Sequence, residues 1–112
     1  MNTTLDQNET ILRTGQASLQ RGIETVGGTL YLTTSRLVFE SHAFNVQRGA
    51  TAIALSEVSS VVTCWTKFLN LIPLIPNSLS VRTSPGREYR FVLFGRDAWI
   101  AAIEAAQQGS GR

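Results

Sequence analysis

Cysteine, histidine and lysine occur once each, as Cys64, His42 and Lys67. A single cysteine excludes an intrachain disulfide and any multi-cysteine zinc site. With one histidine, a metal site needs carboxylates, and these are scattered; no metal and no cofactor is expected. Charge is scarce as well, at 16% of residues against about 25% in an average domain. Ten basic and eight acidic residues leave a net charge of +2. That is too weak to mark a nucleic-acid binder. No long apolar run is present. The longest, Phe68 to Pro76, is broken by Asn70, Pro73 and Pro76, and falls far short of the roughly 20 residues that span a bilayer. The first residues, Met1 to Glu9, hold no basic stretch followed by an apolar one, so nothing there reads as an export signal. A soluble cytoplasmic protein is expected.

What is present is one domain's worth of chain. The 112 residues are 43% apolar, enough for a single core. Residues 1–10 read as a polar, loose leader without period, 11–108 as the domain, and 109–112 as a tail. From Ile11 onward turn residues recur at short intervals: Gly15, Gly22, Gly27-Gly28, Gly49, Asn77-Ser78, Pro85-Gly86 and Gly95. Short runs of β-branched and aromatic residues lie between them, the pattern of an all-β sandwich or barrel. In Thr29–Thr34, Leu30 and Leu32 share one face; in Arg36–Glu40, Leu37 and Phe39 do. The short link between these runs predicts a hairpin. Thr51–Leu55, Ser59–Thr66, Leu79–Thr83 and Glu88–Phe94 are further strands, the last two joined by a turn at Pro85-Gly86. After Gly95 the period changes. Asp97 is a candidate N-cap, and Trp99, Ile100, Ile103 and Ala106 or Gln107 follow at helical spacing up to Gly109. A helix of about 11 residues is not stable alone and must dock on the sheet. The expected core is Leu30, Leu32, Leu37, Phe39, Ile53, Leu55, Leu79, Val81, Phe91, Trp99 and Ile103.

The stretch Gly27-Gly28-Thr29-Leu30-Tyr31-Leu32-Thr33-Thr34-Ser35-Arg36-Leu37-Val38-Phe39 resembles the hallmark of the GRAM branch of the pleckstrin-homology-like superfold: a glycine, one strand, then a basic residue leading an apolar strand. Ile53 to Val58, the Leu79–Thr83 and Gly86–Phe91 pair, and Arg96-Asp97-Ala98-Trp99-Ile100 are similar to later steps of that pattern, in the same order. The resemblance covers roughly residues 9–107. It implies a mainly β fold: a two-sheet sandwich or partly open barrel of about seven antiparallel strands, with one C-terminal amphipathic helix capping an open end. It also implies a non-catalytic module whose partner is a membrane lipid surface or a protein, including a weak homo-oligomer. Phosphoinositide-binding members cluster Lys and Arg in and after the first strand. The corresponding segment here, Arg21-Gly22-Ile23-Glu24-Thr25-Val26, has one Arg and one Glu, too few cations to hold several phosphates.

Catalytic chemistry has little to build on. Cys64 lies in a β-branched run without charged neighbours and reads as a buried, inert thiol. His42 follows the end of a strand and reads as a surface residue. There is no Gly-x-Ser-x-Gly elbow and no Walker or dinucleotide loop, and Gly27-Gly28 reads as a strand-entry bulge or turn. No catalytic residue is assigned. Arg82, Arg87 and Arg90 surround the Pro85-Gly86 turn, with Arg82 and Arg90 at alternate positions for one outer face. They form either a solvated strand surface or an anion contact.

The unusual segment is the connector Trp65-Thr66-Lys67-Phe68-Leu69-Asn70-Leu71-Ile72-Pro73-Leu74-Ile75-Pro76. It lies between two strands, where connections run over the surface and are polar. Burying one large apolar side chain is worth about 1.5–3 kcal/mol, so Phe68, Leu69, Leu71, Ile72, Leu74 and Ile75 need a cover. Three covers are open: the barrel's own mouth, with one helical turn from Lys67 to Ile72; a membrane, with Lys67 at the headgroups; or another protein or copy, which an unpaired edge strand also serves. The set expected to meet a lipid surface or a protein partner is thus Lys67, Phe68, Leu69, Leu71, Ile72, Leu74 and Ile75; the module is expected in the cytoplasm, and in the membrane case peripherally on the inner face.

Overall fold

The structure is a computed structural model, and it describes residues 1, 3–21, 24–42, 50–64, 67–68, 72–73 and 78–110. The strands are β1 (Ile11–Arg21), β2 (Glu24–Thr33), β3 (Arg36–Ser41), β4 (Thr51–Ala54), β5 (Val58–Cys64), β6 (Lys67–Phe68), β7 (Ile72–Pro73), β8 (Ser78–Thr83) and β9 (Glu88–Leu93). A 3-10 turn, Leu55–Glu57, links β4 to β5, and one helix, α1 (Arg96–Ser110), ends the chain. Seven strands form a single antiparallel sheet in the order β4-β3-β2-β1-β9-β8-β5. The two layers expected of a sandwich are therefore the two halves of one open sheet, joined through β1. The halves face each other. Leu30, Leu32, Leu37, Phe39 and Ile53 from one side share a core with Leu79, Val81, Phe91 and Leu93 from the other, and the Phe39 and Phe91 rings stand 5.9 Å apart.

Alternation sets these faces. In β3, Leu37 and Phe39 enter the core; in β9, Phe91 and Leu93 do so, with Tyr89 packed at its margin. Every residue expected in the core is buried. The hairpin between β2 and β3 is present, with Leu30 opposite Phe39 and Leu32 opposite Leu37. The β8–β9 turn is closed by the Gly86 amide donating to the Thr83 carbonyl at 2.9 Å, with Gly86 at a φ of +93° that suits glycine.

The glycine expectations need correction. Gly15 is no turn residue but lies inside β1, and a Cβ there would stand 3.1 Å from Cζ2 of Trp99. Gly27 and Gly28 lie within β2 rather than at a bulge. A Cβ on Gly28 would meet Ser41 Cα at 2.7 Å and the Phe39 ring at 2.8 Å. Gly15 and Gly28 serve close approach of neighbouring groups, which a turn-based reading of glycine misses.

The helix also differs from expectation. It begins at Arg96 and includes Gly109, giving 15 residues. Asp97 lies in its first turn instead of capping it, where a carboxylate still favours the positive end of the helix dipole. Trp99, Ile103 and Ala106 are buried on the core, and the Gln107 amide nitrogen donates to the carbonyls of Val58 and Leu55 at 3.1 and 3.4 Å. The amphipathic face thus closes one end of the curled sheet.

The stretch before β1 is not loose. The Glu9 carboxylate is buried and accepts from Arg36 Nε at 2.8 Å and Nη2 at 3.0 Å, from the hydroxyls of Thr33 and Ser35, and from the Asp6 amide. Further forward, the Thr3 amide and hydroxyl both donate to Glu40 at 2.7 Å, and Arg36 Nη2 donates to the Thr4 carbonyl. Val38 points away from the core between Arg36 and Glu40, yet is fully buried. The strap from Thr3 to Glu9, fixed on both sides of it, lies over that face.

Candidate functional site

The connector between β5 and β8 is the first candidate. Its flanks pair with each other: Lys67 stands opposite Pro73 and Phe68 opposite Ile72, in a two-stranded ladder separate from the main sheet. The middle of the helical turn expected from Lys67 to Ile72, residues 69–71, lies outside the described residues, and Lys67–Phe68 and Ile72–Pro73 are extended. The local reason is Pro73, whose ring biases the preceding Ile72 to extended backbone. Pro73 itself lacks the N–H that a central strand needs. Leu69, Leu71, Leu74 and Ile75 lie outside the described residues, as does the Trp65 end of the β5 run.

The arginine face is the second. Register places Arg82 opposite Glu88 and Arg90 opposite Ser80. Arg82 and Arg90 thus share the outer face with Glu88 between them. Arg82 Nε stands 3.6 Å and Arg90 Nη2 3.7 Å from the Glu88 carboxylate. The Ser80 hydroxyl donates to the same carboxylate and, with the two arginines, holds it below the usual carboxylate range. Arg87 is exposed at the turn and, with Glu57 and Tyr89, lines a notch between β4 and the β8–β9 hairpin. The structure brings Arg82 and Arg90 together but spends part of their charge on Glu88. Exposed pairs of this kind contribute little stability.

His42 is exposed, and its backbone amide donates to the Gly27 carbonyl at 3.0 Å. The Cys64 side chain lies outside the described residues. Among the described residues no group of three potential metal ligands forms. No helix among them is long and apolar enough to cross a membrane.

Sequence reasoning missed two residues. Glu9 carries no periodic signal, because its side-chain partners Thr33, Ser35 and Arg36 are 24 to 27 positions away. Phe94 is 88% exposed, and its outward position was implied by the inward set of Tyr89, Phe91 and Leu93.

A seven-stranded antiparallel sheet in this order, curled over one core and closed by a C-terminal helix, defines a pleckstrin-homology-like fold. Its members are lipid- or protein-binding modules, typically without catalytic activity. The chain belongs to the GRAM domain family, whose model matches residues 1–108. Solved structures agree on the fold. The C-terminal domain of an unknown protein from Leishmania infantum superposes with a TM-score of 0.73 at 18% identity, over 91% of this chain and 87% of that one. The Vps36 N-terminal PH domain gives 0.70 at 17%, over 94% and 83%. The Slm1 PH domain, solved in complex with phosphoserine, gives 0.59 at 13%, over 91% and 97%. No curated protein matches the chain.

Proposed function

We propose that this GRAM module docks peripherally on a membrane through the connector 67–76, on the cytoplasmic side. The observation that carries the reading is the separate ladder of Lys67–Phe68 with Ile72–Pro73. It keeps Lys67–Phe68 and Ile72–Pro73 out of the seven-stranded sheet. Phe68, Leu69, Leu71, Ile72, Leu74 and Ile75 are the inserting set, with Lys67 at the headgroups. Arg82, Arg87 and Arg90 add anion contacts, weakened by Glu88. Slm1, with its bound phosphoserine, is a precedent for anion binding on this fold. No catalytic step is assigned to the module.

Sedimentation with anionic vesicles tests the reading. Wild type pellets with the vesicles, and Ile72→Asp stays in the supernatant. Equal pelleting of the two removes the connector as anchor. A second reading has its own support. β5 is the last strand of the sheet, carries no charged residue from Val58 to Cys64, and leaves Val62 47% exposed; an edge of this kind suits strand pairing with a protein or a second copy. Concentration-dependent mass in light scattering, abolished by Val62→Lys, supports that reading, and a strict monomer excludes self-pairing.

A further inference from the structure

An open sheet has two edges, and here they are not alike. β4, at one end, is four residues long, and the notch beside it is lined by Glu57 and Arg87. β5, at the other end, runs seven residues, Val58–Cys64, without a charge or a proline. Among the described residues, β5 pairs only with β8. Natural edges are guarded by charge, proline or a covering element, because their unpaired N–H and C=O groups otherwise bind another strand. Only the start of β5 has such a guard. There the Gln107 amide on α1 donates to the Val58 carbonyl at 3.1 Å, and the register shifts between Val58 and Ser60.

The phase of the ladder fixes which backbone groups face out. The Thr83 amide donates to the Arg87 carbonyl at 2.9 Å, so Thr83, and with it Val81 and Leu79, turn their backbone groups toward β9. The Arg82 carbonyl faces the other way and accepts from the Ser59 hydroxyl at 3.1 Å. Arg82, Ser80 and Ser78 therefore bond to their β5 partners, Ser60, Val62 and Cys64. Alternation leaves the N–H and C=O groups of Val61 and Thr63 aimed away from the sheet. Groups of that kind, at strand spacing, are matched by an extended backbone and not by a lipid headgroup or a small anion. Between them Val62, on the outer face, is 47% exposed.

We propose that β5 pairs antiparallel with β5 of a second copy of this chain, about a two-fold axis through Val62. The proposal rests on the strand-edge reading above and names its partner. Val62 stands opposite Val62 of the second copy as a non-hydrogen-bonded pair, where side chains come closest. Val61 of each copy stands opposite Thr63 of the other, and these pairs exchange the backbone bonds that the monomer leaves open. Charge decides the occupant. Two uncharged strands meet with no like charges opposed, and such a strand offers nothing to a charged peptide. The pairing is also closed: each copy's unguarded edge is consumed by the other, so a dimer forms and not a fibre.

Light scattering and oxidative crosslinking of the full chain test the pairing. Wild type shows dimer mass that falls on dilution, and Val62→Thr keeps it. Val62→Lys still melts cooperatively, because the side chain faces out, and raises the dissociation constant about tenfold. In a Cys64→Ser background, Val62→Cys forms an interchain disulfide, because the Cα atoms of a non-hydrogen-bonded pair lie about 4.5 Å apart. Gln108→Cys, exposed on α1, measures chance collision and crosslinks more slowly. A dimer lost in Val62→Lys, with Val62→Cys crosslinking no faster than Gln108→Cys, overturns the Val62 axis and leaves edge pairing standing. A dimer indifferent to Val62→Lys overturns both. A strict monomer overturns the pairing of two copies and leaves the edge to a different protein.

Discussion

Two corners of this sheet each set a glutamate against arginine and serine or threonine hydroxyls, with opposite physical results. At the N-terminal strap, the Glu9 side chain is 1% exposed, and Arg36, at 19%, closes over it with two hydrogen bonds. Thr33, Ser35 and the Asp6 amide complete the set. On the β8–β9 face, Glu88 is 36% exposed and its arginines stand at 3.6 and 3.7 Å, beyond hydrogen-bonding reach. The chemistry is alike and the solvent is not. A buried carboxylate deprived of its partner is stranded in a low dielectric, whereas an exposed one is resolvated by water. The strap is therefore architecture, and the Arg82–Glu88–Arg90 face keeps its charges available to solvent and ligands. The basic residue of the family hallmark, Arg36, belongs to the first kind.

Arg36→Ala is the strongest way to break this contrast. It leaves Glu9 buried and unpaired, and a loss of about 3–5 kcal/mol is expected in urea denaturation. A loss below about 1 kcal/mol, the range of exposed pairs, would make the two corners equivalent. Gly28→Ala comes next. Its Cβ has no room against Ser41 and Phe39, and overpacking of this kind costs about 1–3 kcal/mol; a thermal melt unchanged from wild type would show that β2 and β3 can separate freely.

The acid limb of stability sharpens the comparison. Arg36, followed by Thr33, the Asp6 amide and Ser35, lowers the Glu9 pKa from 4.5 to about 2, against the opposing effect of burial. Because the folded value is the lower one, ionised Glu9 contributes its full stability above pH 4.5 and loses it as the pH falls to 2. The urea midpoint of wild type should drop across that window. Glu9→Gln should start lower and drop less, and parallel curves would sink the assignment. The smallest effect is expected from Glu88→Gln. Its carboxylate is also lowered, by Ser80 first and the two arginines after, but in solvent the change should stay within about 1 kcal/mol. The same substitution frees Arg82 and Arg90, so anionic-vesicle binding should rise slightly as stability falls slightly.

Much of the fold was legible from the residues alone. Alternation at Leu30/Leu32, Leu37/Phe39, Leu79/Val81 and Phe91/Leu93 predicts the core-facing side of each strand, and helical spacing predicts the docked face of Trp99 and Ile103. The glycines were less legible. Gly86 serves a positive φ and Gly28 a close contact, and the letter is the same for both. The connector's composition marked it as a candidate site, and the pairing of its flanks followed from no local pattern except the restriction that Pro73 places on Ile72. Phe94 was readable as outward by simple alternation. Its position beside the entry of the connector depends on the Ser78–Val92 register.

The sequence by itself determined which face each side chain takes along the strands from Thr29 onward, and which side of the helix docks. These are properties of neighbours in the chain, governed by backbone sterics and periodicity. Tertiary structure decided which distant groups meet: Glu9 with Arg36, Thr3 with Glu40, Gly15 with Trp99. Those meetings depend on strand order and register, where a slip of one residue exchanges every partner and every face.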